Sequence, residues 1–142
     1  MSVELLIDNS AWVRLAAPAL PQKRADQVAD WLEDGRVAAC LPFVLEAGCS
    51  ARSAADHDEL MQELGALPRL HIDEEVERRA IDGQRQLARA GHHRLPPVDL
   101  LLAALADRYG VGILHYDGDF DVIAAKTNLR FESRWLAKRG AL

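Results

Sequence analysis

Short apolar runs alternate along the chain with longer stretches in which apolar residues recur every three or four positions. Val3-Glu4-Leu5-Leu6-Ile7 is the first run and predicts a strand over residues 3–8, with a helical segment after Ser10. Helical spacing returns over residues 22–34 and stops at Asp34-Gly35, since glycine readily takes the left-handed conformation that ends a helix. Arg36–Leu41 predicts a second strand. Pro42 then suits the first turn of a helix, where its missing N–H has no partner to lose. Asp56 and Glu59 have the spacing of a capping box and open another helix. A short strand at Arg69–Ile72 follows Pro68, and Asp73 caps a long helix that ends near Gly91. After a loop over His92–Pro97, a helix starts at Asp99 and runs to Tyr109. Ile113–Tyr116 is a fourth strand, a short helix follows from Asp119, and a last strand is expected near Leu129–Glu132.

Strand–helix alternation of this kind predicts an α/β fold with a parallel sheet and helices on both faces. Its crossovers should be right-handed, and a ligand site should lie beyond the C-terminal ends of the strands, where the strand order reverses. A chain of 142 residues, 49% hydrophobic and 27% charged, has ordinary globular composition and predicts one domain over residues 1–142 with a sizeable core. No apolar run approaches membrane-spanning length and no signal peptide is expected before Asp8. The two cysteines, Cys40 and Cys49, have neither zinc-site nor disulfide-framework spacing, so a reducing cytoplasm is the expected compartment. Cys49, three residues after Glu46, reads as a small buried residue.

Four carboxylates stand where a charge needs a reason. Asp8 ends Val-Glu-Leu-Leu-Ile-Asp, Glu46 interrupts Leu-Pro-Phe-Val-Leu-Glu-Ala-Gly, Asp99 opens Asp-Leu-Leu-Leu-Ala-Ala-Leu-Ala, and Asp117 follows Val-Gly-Ile-Leu-His-Tyr. An isolated buried carboxylate is costly, so such groups pair, protonate or bind metal. Four acids brought together would repel unless a divalent cation sat among them, and an all-oxygen donor set suits Mg²⁺ or Mn²⁺. All but Glu46, which stands among Phe43, Val44, Leu45 and Ala47, also have a plainer role. Asp8 can cap the helix after it, Asp99 can be a first-turn acid, and Asp117 and Asp119 can serve a turn and a cap. The functional reading rests on their conjunction.

Three segments, Leu5-Leu6-Ile7-Asp8-Asn9-Ser10-Ala11-Trp12, Pro97-Val98-Asp99-Leu100-Leu101-Leu102-Ala103-Ala104-Leu105-Ala106 and His115-Tyr116-Asp117-Gly118-Asp119-Phe120-Asp121, with Glu46 between the first two, resemble the PIN-domain ribonucleases, most closely the VapC toxins. The match spans nearly the whole chain; one departure is Asn9, where Thr is common. The resemblance implies a three-layer α/β/α PIN-like domain whose central parallel sheet of about five strands has the order 3-2-1-4-5, which sets Asp8 beside Asp117. It also implies a Mg²⁺-dependent (or Mn²⁺-dependent) endoribonuclease using a metal-activated water on structured RNA, a tRNA or rRNA loop. Asp8, Glu46, Asp99 and Asp117 would be catalytic, Asp8 and Asp99 metal ligands, and Ser10 and Asp119 supporting residues. A cognate VapB-type antitoxin and a homodimer are the implied partners.

The net charge of −5 stands against bulk attraction to phosphates, so local basic residues have to hold an RNA. Arg14, Lys23, Arg24, Arg94 and Lys126 lie near the motifs in sequence, although each taken alone reads more readily as a solvated surface charge. His115, two residues before Asp117, reads as a packed strand-end histidine, and His92 and His93 as exposed loop residues. Asp117-Gly118-Asp119-Phe120-Asp121 fails as a calcium loop because Val122 and Asn128 stand where Gly and Glu are required. A haloacid-dehalogenase-type phosphatase needs a second Asp where Ser10 stands, and a receiver-like domain needs an acid pair where the chain has Asp8-Asn9. A catalytically inactive binding module of the PIN fold is the remaining alternative.

Overall fold

The three-residue strand β1, Leu5–Ile7, forms the centre of a five-stranded parallel sheet in the computed structural model, which describes residues 2–142. In chain order the other elements are α1 (Asn9–Trp12), α2 (Gln22–Glu33), β2 (Val37–Cys40), α3 (Leu41–Gly48), α4 (Ala54–Gly65), β3 (Arg69–Leu70), α5 (Glu74–Arg89), α6 (Pro97–Tyr109), β4 (Gly112–His115), α7 (Asp119–Lys126) and β5 (Ser133–Trp135). The strand order is β3-β2-β1-β4-β5, with Leu5 opposite Val37 on one side and Leu6 opposite Ile113 on the other. This is the expected order. β1, β2 and β4 are buried at every position, as near-continuous apolar runs are when helices cover both faces of a parallel sheet.

The core lies between the sheet and its helices and includes Leu6, Ile7, Phe43, Leu64, Leu87, Ile113, Leu114, Phe120 and Ile123. α6 is the most deeply buried helix. Its Ala103, Ala104 and Ala106 are fully buried with Leu102 and Leu105, and small side chains let it lie close to its neighbours. It ends at Gly110, whose φ of 68° lies in the left-handed region that favours glycine. Asp73 caps α5 as expected, its side chain accepting from the Val76 amide at 2.9 Å. No helix among the described residues is long and apolar enough to cross a membrane.

Three local expectations change. The last strand forms at Ser133–Trp135, not near Leu129–Glu132. Leu129 is buried instead against Gly83 of α5, where a Cβ would meet its Cδ1 at 3.0 Å, and the Asn128 and Arg130 amides donate to Gln86 and Asp107. The apolar residues that resemble a strand there tie a loop to α5 and α6. α4 is capped by Ser53, which accepts from the Asp56 amide at 3.1 Å, so the Asp56–Glu59 pair lies inside the helix and not at its boundary. Cys49 is exposed, while Cys40 is buried at the end of β2, where burial pushes its thiol up to about 12.

Candidate active site

β1 and β4 are neighbours, so their C-terminal ends bring Asp8 and Asp117 to the same edge of the sheet. The Asp8 amide donates to the Leu114 carbonyl at 3.0 Å, which continues the ladder to the point where the chain turns into α1. Asp8 itself caps α1. Its Oδ2 accepts from the Ser10 amide at 3.0 Å and from the Ser10 hydroxyl. The Ser10 oxygen accepts in turn from the Tyr116 amide at 2.8 Å, so one serine orients Asp8 and joins the two strand ends. The capping role expected for Asp8 and the supporting role expected for Ser10 coexist in one arrangement.

The turn after β4 is fixed by a second set of bonds. The Asp117 amide donates to His115 Nδ1 at 3.1 Å, and Asp117 Oδ1 accepts from the Asp119 amide at 2.9 Å. His115 is fully buried between Phe120 and Trp135, and burial depresses its pKa to about 4, so it is neutral at ordinary pH. With Nδ1 accepting, its Nε2 carries the proton and donates to Ser133 Oγ at 2.7 Å, and that hydroxyl donates to Asp121 at 2.6 Å. His115 is thus a packed strand-end histidine that holds the loop carrying Asp117 and Asp119.

Asp99 arrives from a different element, the first turn of α6, and only 7% of it is exposed. Its carboxyl is pushed up to about 8, first by burial and then by the charges of Asp8, Asp117, Asp119 and Glu46. Asp8 is also raised, chiefly by burial, with the Ser10 hydrogen bonds opposing. Glu46, on α3, has an exposed side chain, yet its carboxyl is raised by partial burial and by Asp8, with the Asn9 side chain favouring its ionised form. It sits at the rim of the site. Asp119 is raised by partial burial and by Asp117, and lowered by Arg139.

The structure therefore gathers Asp8, Glu46, Asp117 and Asp119 within electrostatic reach of Asp99. The tightest group is Asp99, Asp117 and Asp119, each with a carboxylate oxygen within 4.8 Å of the others. Asp8, a predicted metal ligand, is not in that trio, and Asp119, predicted only as support, is. Two buried side-chain oxygens lack a hydrogen-bond partner among the described residues, Asn9 Oδ1 and Asp99 Oδ2, and both belong to this site. A buried acceptor facing further carboxylates, with all-oxygen donors around it, fits a hard divalent cation.

Of the basic candidates, Arg14 lies at the rim, donating to the Ser10 carbonyl at 2.9 Å with its guanidinium 4.8 Å from the Tyr116 ring centre. Arg24 donates to the carbonyls of Trp135 and Leu136 at 3.0 and 2.9 Å, so it ties α2 to the C-terminal segment. Lys23, Arg94 and Lys126 are exposed. The sequence pattern did not nominate Arg139. Its guanidinium lies over Gly118, between Asp117 and Asp119, where a Cβ would meet both terminal nitrogens at 2.8 Å. The glycine between two acids was the available signal, but its partner stands 21 residues downstream.

The PIN domain profile matches residues 5–126. Ribonuclease VapC51 of Mycobacterium tuberculosis is 36% identical over 142 residues, covering 100% of this chain and 99% of that protein. Ribonuclease VapC2 of the same species is 38% identical over 130 residues, covering 89% of each. Among solved structures, a DNA-bound VapBC from Salmonella typhimurium aligns with a TM-score of 0.73 at 14% identity, over 95% of this chain and 99% of that one. A VapBC-1 structure from nontypeable Haemophilus influenzae aligns with a TM-score of 0.69 at 14% identity, over 95% and 96%. At those identities the structural likeness speaks for the fold.

Proposed function

This chain belongs to the VapC group of PIN-domain proteins, and from that premise we propose that it is a divalent-metal-dependent endoribonuclease, the toxin of a toxin–antitoxin pair. The observation that carries the reading is Asp99: a buried carboxylate with an unpartnered oxygen, facing the charges of four other acids. The cation would be Mg²⁺, with Mn²⁺ as the alternative, held by Asp99, Asp117 and Asp119 and by Asp8 directly or through water. Such a cation, when bound, lowers the pKa of a water and polarises the scissile phosphate.

The chain's own residues do the rest. Ser10 fixes the orientation of Asp8, and neutral His115 fixes the turn from which Asp117 and Asp119 project. The Asp99 carboxyl, raised to about 8, favours its protonated form at neutral pH, and a bound cation would favour the carboxylate instead. Glu46 supplies further negative charge at the open rim. Neither Cys40 nor Ser10 is set up for covalent catalysis. Cys40 is buried with its thiol pushed up to about 12, and the Ser10 hydroxyl is committed to Asp8.

The finer proposals follow from this reading. Residues 1–142 act as one PIN unit in the cytoplasm, the chain pairs as a homodimer, and a VapB-type antitoxin inhibits it. The substrate is an exposed loop of a structured RNA, tRNA or rRNA, since sequence-specific RNA recognition mostly uses unpaired bases. The test is cleavage of total RNA by the purified protein in Mg²⁺ and in EDTA. Discrete new fragments in Mg²⁺ alone are expected; equal cleavage in EDTA, or none in either Mg²⁺ or Mn²⁺, would overturn the proposal.

A further inference from the structure

Five carboxylates at one edge of a chain of net charge −5 make a poor surface for a polyanion, so the substrate's flanking phosphates need a local cation. The segment from Ser133 to Leu142 holds Arg134, Lys138 and Arg139 and no acid. It is fastened beside the site. β5 pairs with β4, the Leu136 amide donates to the His115 carbonyl at 2.7 Å, Arg24 grips two of its carbonyls, and the Leu142 amide donates to the Tyr116 hydroxyl at 2.8 Å.

Arg139 is held flat. The Cβ position at Gly118 is 2.8 Å from each of its terminal nitrogens and 2.9 Å from its Cζ, so the guanidinium face rests on the glycine. Its Cζ is 5.7 Å from the centre of the Trp135 ring. Its charge reaches the site, opposing the rise of the Asp119 carboxyl. No carboxylate lies within ion-pair distance of it among the described residues, which leaves its N–H edges free for an anion. Beyond it opens a cavity of about 720 Å³ lined by Arg24, Asp121, Trp135, Leu136, Lys138 and Arg139 among others; its one acid, Asp121, accepts from the Trp135 ring N–H at 3.0 Å and from the Ser133 hydroxyl at 2.6 Å. The cavity is in the size range of small-molecule pockets, and it offers an aromatic ring and cationic groups, the pairing that binds single-stranded nucleic acid through stacking and phosphate contacts.

We infer that Arg139 binds the phosphate next to the scissile one in a single-stranded RNA, and that the adjoining cavity receives that nucleotide's base beside Trp135. The inference rests on the ribonuclease reading above. Gly118 has a stated part in it: the backbone there is ordinary, with φ of −63°, and the missing Cβ is what lets the guanidinium lie down.

The test measures anisotropy of a labelled mixed-sequence single-stranded RNA of about 20 nucleotides across a salt series. It uses Asp8→Asn protein, and the same protein carrying Arg139→Ala, Arg139→Lys or Gly118→Ala. Losing one charge-assisted phosphate contact should weaken binding about tenfold and reduce the slope of log affinity against log salt by about 0.7. Arg139→Lys should keep the slope, and Gly118→Ala should weaken binding by displacing a guanidinium that is still present. In the otherwise wild-type protein, Arg139→Ala should raise KM for total RNA more than it lowers kcat, with melting and Mn²⁺ binding retained. An unchanged salt slope and KM, or a loss that follows Mn²⁺ affinity alone, would reduce Arg139 to a counter-charge for Asp119 and overturn the inference. Unchanged RNA affinity with weakened binding of an oligo-glutamate peptide would assign the patch to an acidic protein and overturn it equally. Wild-type protein that cleaves no RNA in Mg²⁺ or Mn²⁺ removes the ribonuclease reading itself; active wild type with an indifferent Arg139→Ala removes this inference alone.

Discussion

In metal-free solution Asp99→Asn should make the protein more stable, and the gain should grow with pH. The unfolded chain ionises this carboxyl near 3.8, whereas in the folded protein it ionises at about 8, so folding takes up a proton between those values. A raised carboxyl pKa of this kind leaves stability intact below about pH 4 and removes it progressively as pH rises to about 8. At pH 7 the gap is a little over three units, and at ~1.4 kcal/mol per unit the wild type loses about 4 kcal/mol to this group. Asparagine never carries the charge. It does put an amide where Asp99 Oδ2 has no hydrogen-bond partner, at a cost of about 1–3 kcal/mol. The net gain is then about 1–3 kcal/mol at pH 7, and at roughly 3 °C per kcal/mol for a chain of this size the melting temperature rises by about 3–9 °C. Near pH 5 the electrostatic gap has shrunk to about 1–2 kcal/mol and the gain should vanish or reverse. The assay is a set of thermal melts of both proteins in EDTA from about pH 5 to pH 8. Millimolar Mg²⁺ should raise the wild type by mass action on the folded state and raise the variant less. A difference that does not change with pH, or a large loss for the variant at pH 7, would refute the reasoning and leave Asp99 as a helix-start residue only.

Other outcomes follow from the same geometry. The His115 pKa is depressed to about 4 from 6.5, so the stability it contributes above 6.5 should be lost as pH falls toward 4, by up to about 3 kcal/mol. Melts of His115→Gln against wild type across that window should show a flatter acid limb, and parallel limbs would remove His115 from the account. Cleavage by a water in line should leave a 5′-phosphate and a 3′-hydroxyl, read by end-labelling of the fragments; a 2′,3′-cyclic phosphate would mean that the RNA's own hydroxyl attacks. An antitoxin that inhibits by occupying the acid cluster should present an Arg there, since guanidinium matches carboxylates in bidentate fashion. A complex structure with the antitoxin wholly remote from Asp8 and Asp117 would sink that mechanism.

Much of this arrangement is legible in the sequence because a parallel sheet buried on both faces writes its strands as plain apolar runs. Leu5–Ile7 is followed at once by Asp8, and Gly112–His115 by Asp117 after one residue, and an acid just past such a run has few places to go except the site edge. The fifth strand forms four residues later than the pattern predicts, because Leu129 and Phe131 alternate like a strand while Leu129 packs at Gly83 of α5 and the Arg130 amide binds Asp107 of α6. Glu46 stands in an apolar stretch whose neighbours split between core and solvent. Phe43, Val44 and Ala47 are buried but Leu45 is 60% exposed, and Glu46 faces out with it. Asp119 joins Asp99 and Asp117 through a turn capped by Asp117 itself, a local bond that residue identity suggests but cannot aim. Arg139 reaches Gly118 only through the pairing of β5 with β4, which no local pattern encodes.

The central claim is that the converging acids hold the cation on which RNA cleavage depends. Its most direct test is Mn²⁺ binding by calorimetry and cleavage of total RNA, measured on the same preparations of wild type, Asp8→Asn and Asp99→Asn, with circular dichroism to establish folding. Asparagine keeps the helix-capping role at position 8, so that variant isolates the loss of charge. The account predicts folded variants that bind Mn²⁺ more weakly than wild type and no longer cleave RNA. Normal cleavage by either folded variant would contradict it.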